Sequence, residues 1–369
     1  MRSVEAAPFR ILAADNGEVS PWAECFFFDS PSHPKLVRFR KDCGLDELVK
    51  GAKTDLDRAL ALKDWVTKSL QFGKPGPEAF SDWSATALLD RVKRGEKVWC
   101  GQCAMVFQQA CMAVGLPARF VEVGVPDNPA CHFLTEVYLR EHGKWAVVDA
   151  TALAANNVYY TVDGVPQSAL EMHRHVVMNT IDKVVEVHPD RSVPVAEGHP
   201  GWFFYYVRWL LRCDIVTSTP VFVDMEHVFD RWGGTVEWTD DQTVPWERSG
   251  KTTWWTRNVR LAAWNTSDPA VVNWQPTDRV RITLGRDGQG GIFADLWAAD
   301  PAVDHFQVRI DGRRWRDLPA ITPKAASQGH WSSRRCGLKR DPGDREVAAR
   351  IVRADGSMGP ESLVKFAVE

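Results

Sequence analysis

Residues 99–125 read WCGQCAMVFQQACMAVGLPARFVEVGV, followed by HFLTEVYL at 132–139 and KWAVVDAT at 144–151. The order of these runs decides the fold. CAMVFQQACMAVGL reads as a buried helix, with Gly115 as its stop and Pro117 just beyond. ARFVEVGV, HFLTEVYL and KWAVVDAT read as strands, and REHG between the last two reads as a hairpin connection. A helix followed at once by an antiparallel sheet, all within about 50 residues by these pattern rules, predicts an α+β core.

The same segment carries the candidate chemistry. Gly101 lets the backbone turn, and the helix is expected to begin at or just before Cys103. A thiol there sits at the positive end of the helix dipole, which lowers its pKa. The free N–H groups of the first turn can also stabilise an oxyanion. His132 opens the next strand but one and is the candidate base. If Leu139 pairs with Lys144 across REHG, Asp149 falls opposite Leu134, two residues from His132 and on the same face. Asp149 can then orient the imidazole while its other nitrogen faces Cys103, the logic of nucleophile, base and orienter. A register slip of one residue would destroy this arrangement.

The run GQCAMVFQQACMAVGLPARFVEV, then HFLTEVYL, then WAVVDAT, resembles the core of the transglutaminase-like superfamily. That family places Gly-X-Cys at a helix start, His at the head of a strand and Asp in the strand after. LALKDWVTKSLQF and DWSATALLDRVKRG resemble the helices that precede the family's Cys, so the likeness covers roughly residues 40–155. It implies a papain-like helix-plus-sheet fold and a Cys103-His132-Asp149 triad. Protein cross-linkers, proteases and amidases, peptide N-glycanases and inactive members share this fold; the three intact polar positions speak against the last. The family often completes its oxyanion hole with a side-chain donor, for which Trp83, Trp99 and Gln102 are candidates here. Ala150-Thr151 stands where a Pro-Thr is common.

Outward from this core, residues 45–72 read as helical, with Thr54 or Asp55 as a cap, and SATALLDRVK reads as a short helix. After the core, NNVYYTVDGVP reads as strand and turn, SALEMHRHV as a short helix, and WFFYYVRWLL as either helix or strand. VRITLGRD, GIFADLWA, HFQVRIDG, REVAARIV and SLVKFAVE suggest a terminal β-sandwich of immunoglobulin-like type. The expected organisation is a lead-in segment at 1–34, a catalytic domain at 35–185, a Trp-rich β-containing region at 186–274 and the sandwich at 275–369. Of 17 Trp, nine crowd between Trp202 and Trp274. They read as packing or as a surface that stacks flat groups such as sugars, Trp254-Trp255 putting one ring on each strand face.

Composition bounds the remaining function classes. A net charge of −3 without a basic tract sets nucleic-acid partners aside. The most apolar run, Trp202–Leu211, is interrupted by Arg208 and is too short to span a bilayer. MRSVEAAPFR carries no apolar signal core, although a trimmed secreted form would look the same. The eight Cys are not spaced as in a small stapled domain. Cys100 and Cys103 spell C-x-x-C, readable as a redox pair or half a zinc site, but there is no second such motif. His173-x-His175 would split across two faces of a helix. No cofactor, metal or calcium site is implied. The expected function is cysteine-dependent acyl transfer at an amide, hydrolysis first, on a protein, peptide or glycopeptide substrate. Transfer to an amine and deglycosylation are the alternatives within this class, and a non-catalytic glycan- or protein-binding module is the alternative outside it.

Overall fold

In the computed structural model, residues 9–18, 20, 22–23, 26–76, 82–125, 131–153, 156–195, 203–213, 235–238, 263–276, 278–320, 332–339 and 341–368 are described. Two short strands, β1 (Phe9–Asp15) and β2 (Phe27–Phe28), precede five helices. These are α1 (Pro34–Asp42), α2 (Leu45–Val49), α3 (Asp55–Ser69), α4 (Ala85–Lys93) and α5 (Cys100–Ala113). Helix α1 is an addition to the sequence reading. Pro34 opens it and His33 Nδ1 accepts the Lys35 N–H at 3.3 Å, so the triplet SHP starts a helix. Thr54 caps α3 in a capping box with Asp57, and Ser84 caps α4. All but the first residue of α5 are buried, and Gly115 (φ 79) ends its C-terminal turn in the left-handed region.

The sheet follows as β3 (Ala118–Gly124), β4 (Cys131–Leu139), β5 (Lys144–Ala150), β6 (Asn157–Val162) and β7 (Val165–Pro166). After α6 (Ala169–Val177) come β8 (Val185–Val187), β9 (Ser192–Pro194), β10 (Tyr206–Leu210), β11 (Arg212–Cys213), β12 (Thr235–Trp238) and β13 (Ala263–Thr266). Strand order is β13-β12-β10-β3-β4-β5-β6-β8-β9, with β7 beside β6; β11 pairs with β2. Every pair in the large sheet is antiparallel except β12–β13. Leu139 lies opposite Lys144, the register on which the His–Asp geometry depends. WFFYYVRWLL contributes β10, buried at every position because it is an interior strand between β3 and β12.

The chain divides into two compact units, Phe26–Gln275 and a second made of Met1–Cys25 with Pro276–Glu369. The first is a mixed helix and antiparallel-sheet unit with α5 against β4. Of the tryptophans of the crowded region, Trp209, Trp238 and Trp274 are buried. Trp254 and Trp255 lie outside the described residues.

The second unit holds two sheets. One is β1-β20-β19-β16-β17, from β16 (Val303–Ile310), β17 (Arg316–Pro319), β19 (Gly343–Arg353) and β20 (Ser362–Val368) with β1. The other is β14-β15-β18, from β14 (Arg281–Arg286), β15 (Ile292–Ala298) and β18 (Ser332–Leu338). Alternate residues of both enter one core, including Ile292, Ala294 and Leu296 from one sheet and Phe306, Val364 and Phe366 from the other. No helix among the described residues is long and apolar enough to cross a membrane.

Candidate active site

Helix α5 is apolar enough to be buried, and its few polar groups are tied down. Gln108 donates to Cys213 O at 2.7 Å, and Gln109 joins Trp83 O and the Ala85 N–H at 3.1 and 2.8 Å. Thr135 Oγ1 donates to Ala104 O at 3.0 Å, pinning the first turns of the helix to β4. A Cβ on Gly101 would stand 3.3 Å from the Phe133 ring and 3.4 Å from Trp83, so this approach is as close as the residue permits.

The helix starts three residues before Cys103, at Cys100. The Gln102 and Cys103 N–H groups both reach Trp99 O, at 3.1 and 3.0 Å. Among the described residues, the N–H groups of Cys100 and Gly101 take no backbone acceptor, so they are the donors left at this helix end. Of the candidate side-chain donors, Trp83 is buried, Trp99 is 36% exposed, and Gln102 Oε1 accepts the Trp99 N–H at 2.9 Å.

The pairing of β4 with β5 ends at Thr135–Val148, and His132 and Asp149 lie past it. Their side chains meet: His132 Nε2 is 2.6 Å from Asp149 Oδ2. Asp149 is buried, and its carboxylate also accepts the Thr151 N–H at 2.9 Å and the Asn156 amide at 3.4 Å. The carboxylate is thus fixed on three sides and holds the imidazole by one nitrogen. Phe203 covers that imidazole, with ring centroids 5.6 Å apart.

Cys100 and Cys103 both belong to this site, and they differ. Cys103 is fully buried beneath the turn after β5, where its thiol accepts the Ala152 N–H. Cys100 is only half-buried, and its thiol is hydrogen-bonded to His132. The expected drop in the Cys103 pKa is reversed. Burial pushes that thiol up to about 12, because loss of hydration outweighs the Ala152 N–H and the helix end. For His132, burial pulls the pKa down, but the Asp149 charge and hydrogen bond and the Cys100 contact outweigh it and hold the ring at about 10. At neutral pH the ring is an imidazolium, ready to donate a proton. The site therefore unites a fixed carboxylate, an imidazolium and two thiols at the open end of a helix.

Sequence reasoning did not single out Asn156, Phe203 or the Cys100 contact. The first two come from loops, whose spatial neighbours leave no periodic signal. Cys100 was visible only as half of C-x-x-C. His173 and His175 do not converge: His173 Nδ1 meets Phe204 O at 3.0 Å and His175 Nδ1 meets Thr180 Oγ1 at 2.9 Å. No cluster of metal-ligating side chains, and no disulfide, occurs among the described residues.

Residues 45–150 match the family model of the transglutaminase-like superfamily, and it is this part of the chain that is similar to that superfamily. A solved structure from Cytophaga hutchinsonii, described as a "Putative Cysteine Protease", is similar at 20% identity and a TM-score of 0.26. The similarity covers 38% of this chain and 45% of that one, so the chain spans less than half the length of the protein it resembles. No curated protein matches the chain.

Proposed function

We propose that the Phe26–Gln275 unit is a cysteine-dependent enzyme that transfers the acyl group of an amide, in the first place to water. The observation that carries this reading is the 2.6 Å contact of His132 with a buried, hydrogen-bonded Asp149 beside the thiol-bearing end of α5. Cys103 is the nucleophile, His132 the acid and base, and Asp149 the group that orients the ring. Once His132 has lost its proton to solvent, the ring takes the proton of the Cys103 thiol as the sulfur adds to the amide carbon, and the oxygen takes up the negative charge near the Cys100 and Gly101 N–H groups. The C–N bond then breaks, and the amine leaves with the proton from His132. Water, deprotonated by the now neutral ring, attacks the thioester, releases the acid and returns the thiolate. Amine in place of water would give a cross-link, and a glycosylated Asn as substrate would give deglycosylation. The substrate is a protein, peptide or glycopeptide, and no cofactor enters the scheme.

One observation favours a second reading, in which Cys100 attacks. It is the thiol bonded to His132 and the less buried of the two. The two readings differ in which variant is inert. The chain is incubated with a glycopeptide and with a Gln-containing peptide plus a primary amine, and products are read by mass. Loss of all turnover in Cys103→Ala with turnover kept in Cys100→Ala supports the first reading, and the reverse supports the second. No turnover by the unaltered chain, with both thiols alkylated no faster than Cys43, would remove catalysis altogether.

In the proposed arrangement the residues assigned to catalysis lie within 35–185, and the Trp-rich 186–274 belongs to the same unit, extending its sheet by β10, β12 and β13. The lead-in is 1–34, and the C-terminal 275–369 is read as an immunoglobulin-like sandwich, supported by the core its two sheets share.

A further inference from the structure

A pocket of about 460 Å³ with five cationic residues among those lining it opens in the second unit, away from any residue assigned above. The turn joining β16 to β17 forms one rim. Asp311 (φ 52) and Gly312 (φ 65) are both left-handed there, and the Arg313 N–H closes onto Ile310 O at 3.1 Å. The turn thereby sets Arg313 and Arg314 on the rim, followed by Arg316 at the start of β17. Lys339, after β18, and Arg345, in β19, contribute from the far side.

The five cations play different parts. Arg345 is nine-tenths buried and committed: its Nε and Nη2 grip Asp311 at 3.0 and 2.5 Å, and its Nη1 donates to Lys339 O at 3.0 Å. Asp311 is the only carboxylate in the lining, and its hydrogen bonds to Arg345 keep its pKa below the ordinary value, so it stays ionised and stays on Arg345. Arg313, Arg314, Arg316 and Lys339 are exposed, and among the described residues none of them forms an ion pair. Arg316 approaches only the Cys336 sulfur, at 4.0 Å. These charges gather on a chain of net charge −3, so they do not reflect a generally basic surface.

The lining also limits the ligand. Ile310 is the one large apolar residue among the described residues of the lining, so the rest is supplied by glycine and by long charged side chains. Gly337 forms part of the wall, and a Cβ there would meet nothing within 4 Å. A volume within the range of about 300–1,000 Å³ typical of metabolite sites exceeds the need of one small ion. Guanidinium groups match phosphate and sulfate oxygens by paired hydrogen bonds. We propose that this pocket binds a small organic polyanion, a sugar carrying two or more phosphate or sulfate groups.

The test is calorimetric titration of the full chain at low salt with inorganic pyrophosphate and, separately, with sucrose octasulfate. Saturable binding of either probe supports the site, and the preferred probe tells phosphate from sulfate ester. Arg314→Glu should weaken that binding at least about ten-fold, because reversing one of a few clustered charges acts on every contact made within a Debye length. Gly337→Phe alters no charge and fills the space, so it should weaken binding as much. Arg335→Ala, which removes a cation already paired with Asp295 at 2.7 Å, should leave it unchanged. Failure of both probes to saturate overturns the proposal. So does equal binding by the parent chain and Gly337→Phe, since the attraction would then be diffuse and not that of a pocket. Melting curves of each variant guard against loss of the fold, and Arg314 is exposed enough for its variant to remain native.

Discussion

Strand β4 carries two buried charge clusters four residues apart, and only one has the character of a reactive site. At Glu136, both carboxylate oxygens are held: Arg119 and the Trp209 indole reach one at 2.7 Å, and the Ala169 N–H reaches the other at 2.7 Å. The Arg119 guanidinium lies over the Trp145 ring at 4.1 Å and is wholly buried. At His132, the imidazole keeps about an eighth of its side-chain surface open and touches a thiol as well as a carboxylate. Burial and ion pairing are common to both. What separates them is access, and a group whose protonation can change as a partner arrives. A buried ion pair by itself points to architecture.

Substitutions should separate the two clusters, beginning with the largest effect. Asp149→Asn keeps the shape but cannot hold the imidazolium. Turnover should fall by about 10⁴-fold, and the melting temperature should fall as well at pH 7 but approach that of the parent near pH 10, measured by product mass and calorimetry on one preparation. Glu136→Ala should spare turnover. It strands the buried Arg119 charge and should cost about 3–5 kcal/mol in urea unfolding, while the folded fraction keeps its turnover. If Glu136→Ala unfolded as easily as the parent, the distinction between the clusters would not stand.

Protonation gives a third test. His132 is held at about 10 against an ordinary 6.5, so its contribution to stability is complete below pH 6.5 and is lost as pH rises through 10. Unfolding free energy followed from pH 6 to 10 should decline, and Asp149→Asn should flatten the decline. Alkylation of the site thiols should accelerate over the same interval, because loss of the ring proton leaves a base for the thiol. A rate already at its plateau at pH 7 would mean that a thiolate is present at rest, against the high pKa of Cys103. The smallest effect belongs to neither cluster. Thr54→Ala removes the α3 cap and should cost about 1 kcal/mol by urea titration, with turnover unaltered.

The sequence patterns reached some of this and missed the rest for definable reasons. Helix α5 and strands β3, β4 and β5 were legible because each is a local run, and REHG fixed the β4–β5 register within a few residues. The pairing of β10 with β3 joins segments some eighty residues apart, and a run buried on both faces has no period to tell strand from helix. β17 and β18 escaped notice as short or charged strands, SSRRCGL being the latter. At the site, His132 and Asp149 could be placed together from register alone. The acidity of Cys103 could not, because it turns on how much water the thiol loses. A helix start announces its dipole in the sequence, but how deeply its thiol is buried is set by distant chain.

The pairing of β1 with β20 has a consequence for the order of events during synthesis. Phe9 lies opposite Val368 and its ring sits 6.4 Å from Phe366, so β1 leaves the ribosome long before the strand it pairs with. The strands of the Phe26–Gln275 unit have their partners in hand long before, so this unit is expected to fold while the β1 segment is still unpaired. The candidate reactive centre is then assembled before the unit holding the basic pocket exists. Protease challenge of stalled nascent chains should show this: chains halted after Gln275 should protect Trp145 and its surroundings, while the β1 segment stays cleavable until β20 has emerged.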